Sequence, residues 1–314
     1  MRQVGFRRVA HGLFVRREEG SSEAEEFLRD LDAWLCVLPP GAVFTHVTAA
    51  RLLSWRLPAL PEQVPVLAAV HGGERRARRP GLICSRLVGS DDVARGQRHV
   101  VNGLPVDQPE EILLRCARDL GHLDLVVMVD SALRAGDVDS ERMAEVLASR
   151  RPGVRPLRAA WSAADRRSES GGETLLRIFH QVMDVPVEAQ VDVHDDDGQF
   201  VARADLLVIG TTQLHEYDGA GHRDRGQHRS DLRRDRKLAS TPYVRRGFTL
   251  DDLVNQPAVT MHELDRVLGR VHHQPRLRRW RRMVDQSLYS PAGRSRFMNR
   301  WHRETGIVDW SRTP

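Results

Sequence analysis

Glu216 and Asp218, in the segment LHEYDG, are carboxylates two positions apart, and a third, Asp205, lies in the preceding apolar run VARADLLVI. Successive side chains of a strand leave opposite faces, so an i, i+2 pair projects together, and Asp205 joins it if the neighbouring strand is in register. Carboxylates gathered at low dielectric repel one another unless a divalent cation neutralises them. Mg²⁺ or Mn²⁺ is the expected occupant, because these hard ions take oxygen ligands and keep waters that can be activated toward a phosphodiester. The chemistry such a set could perform is hydrolysis of a nucleic-acid backbone.

The elements that must position these acids run from Val187 to Gly219, VEAQVDVHDDDGQFVARADLLVIGTTQLHEYDG. Asp195, Asp196 and Asp197 before Gly198 mark a tight turn, and we read these three acids as a solvated turn rather than as ligands. Gly210, Thr211 and Thr212 mark a second turn. Three antiparallel strands are predicted, with Asp205 in the middle of one and Glu216 on its neighbour. Upstream, Leu175, Leu176 and Phe179 recur at helical spacing from Glu173 to Val182, and Ser170 stands three residues before Glu173 as in a capping box. Asp205 and Glu216 interrupt apolar strands, where a charge is seldom buried without a partner.

The stretch from Ser168 to Leu253 resembles the compact endonuclease-like domains related to the very-short-patch repair enzyme, within the PD-(D/E)xK nuclease superfamily. The resemblance implies an α/β, restriction-endonuclease-like mixed sheet flanked by helices. It matches Glu173 to the family's helix glutamate, Gln190 to its first-strand glutamine, Asp205 to the core metal aspartate and Glu216 to the second core acid. His222 follows the EYDG turn at the family's position. Asp231, Arg234 and Leu238 fit its next helix, and Arg246 fits the arginine on the strand after that helix. The implied metal ligands are Asp205, Glu216 and Glu173; Gln190, Asp218 and His222 complete the candidate catalytic set, and Arg234 and Arg246 would neutralise substrate phosphate. Two residues depart from the pattern. Asp218 replaces the lysine of many superfamily members, which leaves the charge donor unassigned, with His222 or Arg234 as substitutes. Pro242 replaces a glycine, which should alter only a turn.

The amino-terminal 165 residues have their own organisation. GFRRVAHGLFVRREEG reads as a hairpin turning at His11 and Gly12. A helix is predicted from Ser22 to Leu38 and another from near Thr45, ending before Pro58. Strands at Val64 to Val70 and Leu82 to Leu87 flank the basic turn GGERRARRP, and helices follow at Pro109 to Leu120, Leu123 to Arg134 and Ser140 to Ser149. THVTAARL and VDQPEEILLRCARDL carry a resemblance to AbiEi-like antitoxin or transcriptional-regulator proteins of actinobacterial type, in which the hairpin would be the wing of a winged helix-turn-helix. Only five residues precede Phe6, too few for the recognition helix, so either the start codon is misassigned or that helix has been lost, and sequence-specific DNA reading is not carried over. His46 and Thr48 are expected to cap and pack rather than catalyse, because no nucleophile and base can be assembled around them.

No long low-complexity linker is visible and RRPGVRP, residues 150 to 156, is the nearest thing to a boundary; the expected segments are 1–165, 166–260 and a basic tail from 261 to 314. In that tail arginines alternate with Trp280, Tyr289, Phe297 and Trp301. Such interleaving can grip a nucleic acid, but one aromatic per turn or two is also ordinary for a docked helix, and the docked helix is the preferred reading.

Lys and Arg outnumber Asp and Glu 48 to 43, and Lys237 is the sole lysine. This favours a nucleic-acid partner, DNA foremost, only weakly. Cys36, Cys84 and Cys116 lack zinc spacing and are expected to be buried free thiols in a reducing cytoplasm. No apolar stretch is long enough for a membrane span, and the amino terminus lacks a signal peptide's apolar core, so a soluble, intracellular protein is expected. The expected function is a metal-dependent DNA endonuclease in defence or toxin–antitoxin control, with a cognate toxin or defence protein as partner. The alternative is a non-catalytic nucleic-acid-binding regulator that keeps the nuclease fold as a scaffold.

Overall fold

The computed structural model describes residues 5–62, 64–87, 99–195, 197–219 and 238–305 of the 314-residue chain. Two compact units interleave along it. The first comprises Met1–Leu120, Asp137–Arg158 and Arg294–Pro314; the second comprises Gly121–Gly136 and Ala159–Gly293. Both mix helices with a mixed sheet, an α+β architecture.

In the first unit the hairpin forms as expected, with β1 at Phe6–Ala10 and β2 at Leu13–Arg16. Helix α1, Glu23–Leu35, opens with a complete capping box: Glu25 N donates to Ser22 Oγ and Ser22 N donates to the Glu25 carboxylate. It ends before the predicted Leu38, because Pro39 and Pro40 disfavour helical backbone just ahead of them. A five-stranded sheet follows, in the order β5-β4-β3-β7-β6. Its β4, Val66–Val70, and β5, Leu82–Arg86, match predicted strands. Its β3, Val43–Phe44, β6, His99–Val101, and β7, Leu104–Val106, were not foreseen. Strands of two or three residues carry no alternation to detect.

Helices α2, His46–Leu52, α3, Pro109–Cys116, and α5, Ser140–Ala148, also belong to this unit. Helix α6, Val154–Ala163, begins inside the stretch read from the sequence as the nearest thing to a boundary. Val154 and Leu157 are buried there, and Gly153, at φ +98°, lies so close to α3 that a Cβ would stand 2.5 Å from the Leu114 carbonyl oxygen. Cys84 and Cys116 are buried, but Cys36 is exposed, contrary to expectation, because it falls on the C-cap of α1 rather than within the apolar face.

The second unit is built on the sheet β11-β10-β9-β8. Its strands are β8, Val187–His194, β9, Phe200–Val208, β10, Gln213–Tyr217, and β11, Val244–Phe248. The three expected strands are antiparallel, and β11 pairs parallel to β10. Helix α7, Gly171–Val182, is tied to α4, His122–Ala135, through buried Asp130, whose carboxylate accepts from Thr174 Oγ1 at 2.8 Å and from Arg177 Nη2 at 2.7 Å. The unit continues with α8, Leu250–Val254, α9, Pro257–Val267, and α10, Gln274–Asp285; the last helix, α11, Pro291–Thr305, belongs to the first unit from Arg294 onward. Trp280, Phe297 and Trp301 are core residues, as the docked-helix reading expects; Trp280 Nε1 donates to the Leu253 carbonyl at 2.6 Å and its ring meets Phe179 edge-on. Among the described residues no helix is long and apolar enough to cross a membrane.

Candidate functional site

Register brings the predicted acids into one line. Leu214 pairs with Leu207 and His215 with Leu206, so the next step along the ladder sets Glu216 opposite Asp205. Ala189 pairs with Leu206 and Val191 with Ala204, which brackets Gln190 opposite Asp205 on the other side. The parallel pairing sets Gly247 beside Glu216. Gln190, Asp205, Glu216 and Gly247 thus form one row across four strands, where cross-strand neighbours are close enough to interact.

Each acid in this row has a partner from the protein itself. Glu173 is the third residue of α7, and its N–H donates to Ser170 Oγ at 3.1 Å, as predicted. Its carboxylate takes the Glu169 N–H at 2.6 Å, one residue before the cap, and Gln190 Nε2 at 3.0 Å. Gln190 has φ +57°, unusual for a non-glycine residue within a strand. Asp205 Oδ2 accepts from Tyr217 N at 2.8 Å, just past the last β9–β10 backbone pair. Glu216, 5 % exposed, accepts from Arg245 Nε at 2.6 Å, and the same guanidinium reaches Asp218 Oδ1 at 3.4 Å. Glu216 and Asp218 therefore converge as their spacing implied, but on an arginine.

Glycine makes that convergence possible. A Cβ on Gly247 would stand 1.8 Å from Asp218 Oδ2, so only glycine lets the Asp218 carboxylate lie across β11. Similarly, a Cβ on Gly172 would stand 2.0 Å from the Tyr217 ring, which fixes how closely α7 approaches β10. As arranged, this row does not fit a divalent cation, because Arg245 takes the charge-neutralising position between Glu216 and Asp218. Among the described residues no three His, Cys, Asp or Glu side chains form a group able to hold a metal ion.

Arg246, the arginine singled out from the sequence, is engaged elsewhere: it donates to Glu263 and lies over the Phe248 ring. Strand alternation could have identified Arg245 instead, since it shares a face with Gly247 at i+2 while Arg246 does not. Leu238 is a core residue beside Val193, Ala204 and Leu214. His222, Asp231 and Arg234 lie outside the described residues.

A buried histidine pair, absent from the sequence reading, joins α7 to β10. His180 Nδ1 lies 2.8 Å from the Leu176 carbonyl, which can only accept, so Nδ1 carries the proton. In the neutral ring Nε2 is then an acceptor, and the 2.7 Å contact requires His215 Nδ1–H as donor. This leaves His215 Nε2 buried without a hydrogen-bond partner. Burial pushes His180 down to about 4, and burial together with His180 and Arg246 pushes His215 down to about 3. Both rings are neutral near pH 7.

In the first unit, His46 and Thr48 are buried as the packing reading expects, but neither caps α2, whose N-cap Thr45 makes no side-chain cap hydrogen bond. Thr45 Oγ1 donates to buried Asp107 at 2.8 Å, Arg115 closes an ion pair with Asp107 at 2.9 Å, and Thr48 Oγ1 accepts from Leu67 N at 3.0 Å. His46 is buried at φ +51°, and its Nε2 lies 3.9 Å from Asp119. These residues surround the segments that resemble regulators. Residues 47–161 match the AbiEi antitoxin C-terminal domain. The match takes in most of THVTAARL and all of VDQPEEILLRCARDL, and it ends before Glu173, the first of the candidate acids. No curated protein and no solved structure matches the chain.

Proposed function

We propose that the protein is a non-catalytic, nucleic-acid-binding regulator of the antitoxin kind, working in a toxin–antitoxin or defence setting with a cognate toxin as partner. The AbiEi antitoxin domain supports the setting. The observation that carries the non-catalytic reading is Arg245 between Glu216 and Asp218. A fixed guanidinium supplies, from the chain itself, the positive charge that a hydrolase would take from a bound cation. Asp218 in place of the superfamily's lysine points the same way, because it adds negative charge where phosphoryl chemistry needs positive charge.

A second reading keeps the metal-dependent DNA endonuclease, and the register that aligns Gln190, Asp205 and Glu216 favours it. Under that reading Asp205 and Glu216, with Glu173, would be the ligands of Mg²⁺ or Mn²⁺, and Arg245 would first have to leave Glu216, since the row as arranged does not fit the ion. Calorimetric titration of Mg²⁺ and Mn²⁺ into wild type and Asp205→Ala, with plasmid and single-stranded DNA cleavage assays and gel shifts, separates the two. The regulator reading expects DNA retardation without cation-dependent cleavage. Metal binding and nicking that both disappear in Asp205→Ala would replace it with the endonuclease.

A further inference from the structure

Helix α10 carries a second feature, independent of the acidic row. Its inner face is fixed by Leu277, Trp280 and Val284, all buried, and by buried Arg276, which donates to the Met183 carbonyl at 2.8 Å and pairs with Asp265 at 3.3 Å. At 3.6 residues per turn, Arg278, Arg279, Arg281 and Arg282 fall on the outward arc, and all four are exposed. Among the described residues no ion pair joins any of the four to an acid. Asp285, exposed one turn on, stands i+4 from Arg281 and i+3 from Arg282 without closing one. Four like charges within five positions repel, so this face costs stability in isolation and is relieved by an anionic surface.

We infer that this arginine face of α10 is the surface that grips the phosphate backbone of duplex DNA; the inference rests on the nucleic-acid-binding reading above. Guanidinium forks match phosphate oxygens in pairs, and four of them along about 6 Å of helix axis suit a polymer with one charge per ~1.7 Å of duplex. Trp280 is buried beneath the arginines. It offers no stacking platform, which favours a duplex over a single strand.

The test uses the full chain and a mixed-sequence DNA duplex, with binding followed by fluorescence anisotropy from 50 to 200 mM salt. Wild type is compared with Arg278→Gln/Arg282→Gln and with Arg16→Gln/Arg17→Gln, an exposed pair on the hairpin that loses equal charge. The α10 variant should bind roughly tenfold or more weakly near 100 mM salt, with the slope of log K against log salt reduced by about 1.8, from about 0.9 per phosphate contact. The hairpin variant should stay near wild type, and circular dichroism should show all three equally folded. Equal affinity and slope in the α10 variant, with wild type still binding, would overturn the assignment of this face and leave the nucleic-acid reading intact. No duplex binding by wild type would overturn both. Poly-glutamate bound as tightly as duplex, and lost equally in the α10 variant, would reassign the face to an acidic protein partner.

Discussion

Arg245 decides the chemistry of the acidic row, because it determines whether Glu216 and Asp218 meet a cation from the chain or one from solution. The Glu216 side chain is 7 % exposed and that of Arg245 is 28 % exposed, so the pair falls between a surface bridge and a fully buried one. Arg245→Ala should lower the stability of the second unit by about 2 kcal/mol, discounted from the 3–5 typical when one partner of a fully buried pair is removed. The same variant should gain measurable Mn²⁺ heat relative to wild type, because carboxylates left without the guanidinium attract another cation. Urea titration and calorimetry read the two effects, and an unchanged urea midpoint would show that Arg245 does not neutralise Glu216. Alternation along LHEYDG made Asp205, Glu216 and Asp218 legible in the sequence. Alternation also puts Arg245 rather than Arg246 on the face of Gly247, but that this face adjoins Glu216 follows from the parallel register of β11 on β10, which only the fold sets.

At the level of elements, the long strands and amphipathic helices could be read from their periodicity, including the hairpin, the three strands from Val187 to Tyr217 and α7 with its Ser170 cap. The short strands β3, β6 and β7 could not, because pairing with neighbours rather than an internal pattern makes them strands. The His180–His215 contact escaped for a related reason: each histidine lies in an apolar context, and only the packing of α7 on β10 joins them. That contact predicts a pH dependence. Both folded values lie below the ordinary histidine value, so the unfolded chain binds more protons in the interval between. The stabilisation is therefore complete above about pH 6.5 and falls as pH drops toward 4, by up to about 3 kcal/mol for His180 alone. Urea midpoints measured from pH 7.5 to 4.5 should show the loss, and the paired apolar variant His180→Leu/His215→Phe should flatten the slope. Equal slopes in both proteins would assign the acid sensitivity to other groups.

Across the whole molecule, thiol accessibility provides a report on the first unit, where all three cysteines lie. Burial pushes the Cys84 and Cys116 thiols upward, so they are protonated as well as shielded. A thiol reagent followed by peptide mass spectrometry should modify Cys36 promptly and the other two only as that unit opens; prompt labelling of Cys116 would contradict the packing of α3. The mixed α+β class was legible from the order of elements, and the regulator-like segments from their residues. The interleaving of the units was not, because it depends on contacts between stretches remote in sequence. Arg300, near the end of the described chain, pairs with Asp119 and donates to the Arg118 carbonyl, 182 residues earlier. On a ribosome adding ~5–20 residues per second, Asp119 would wait roughly 10–35 s for that partner. The first unit, though most of it lies before Leu120, cannot complete its core until the chain beyond Arg294 has been translated, so a product terminated before that point would carry the antitoxin-like segment without the means to finish it.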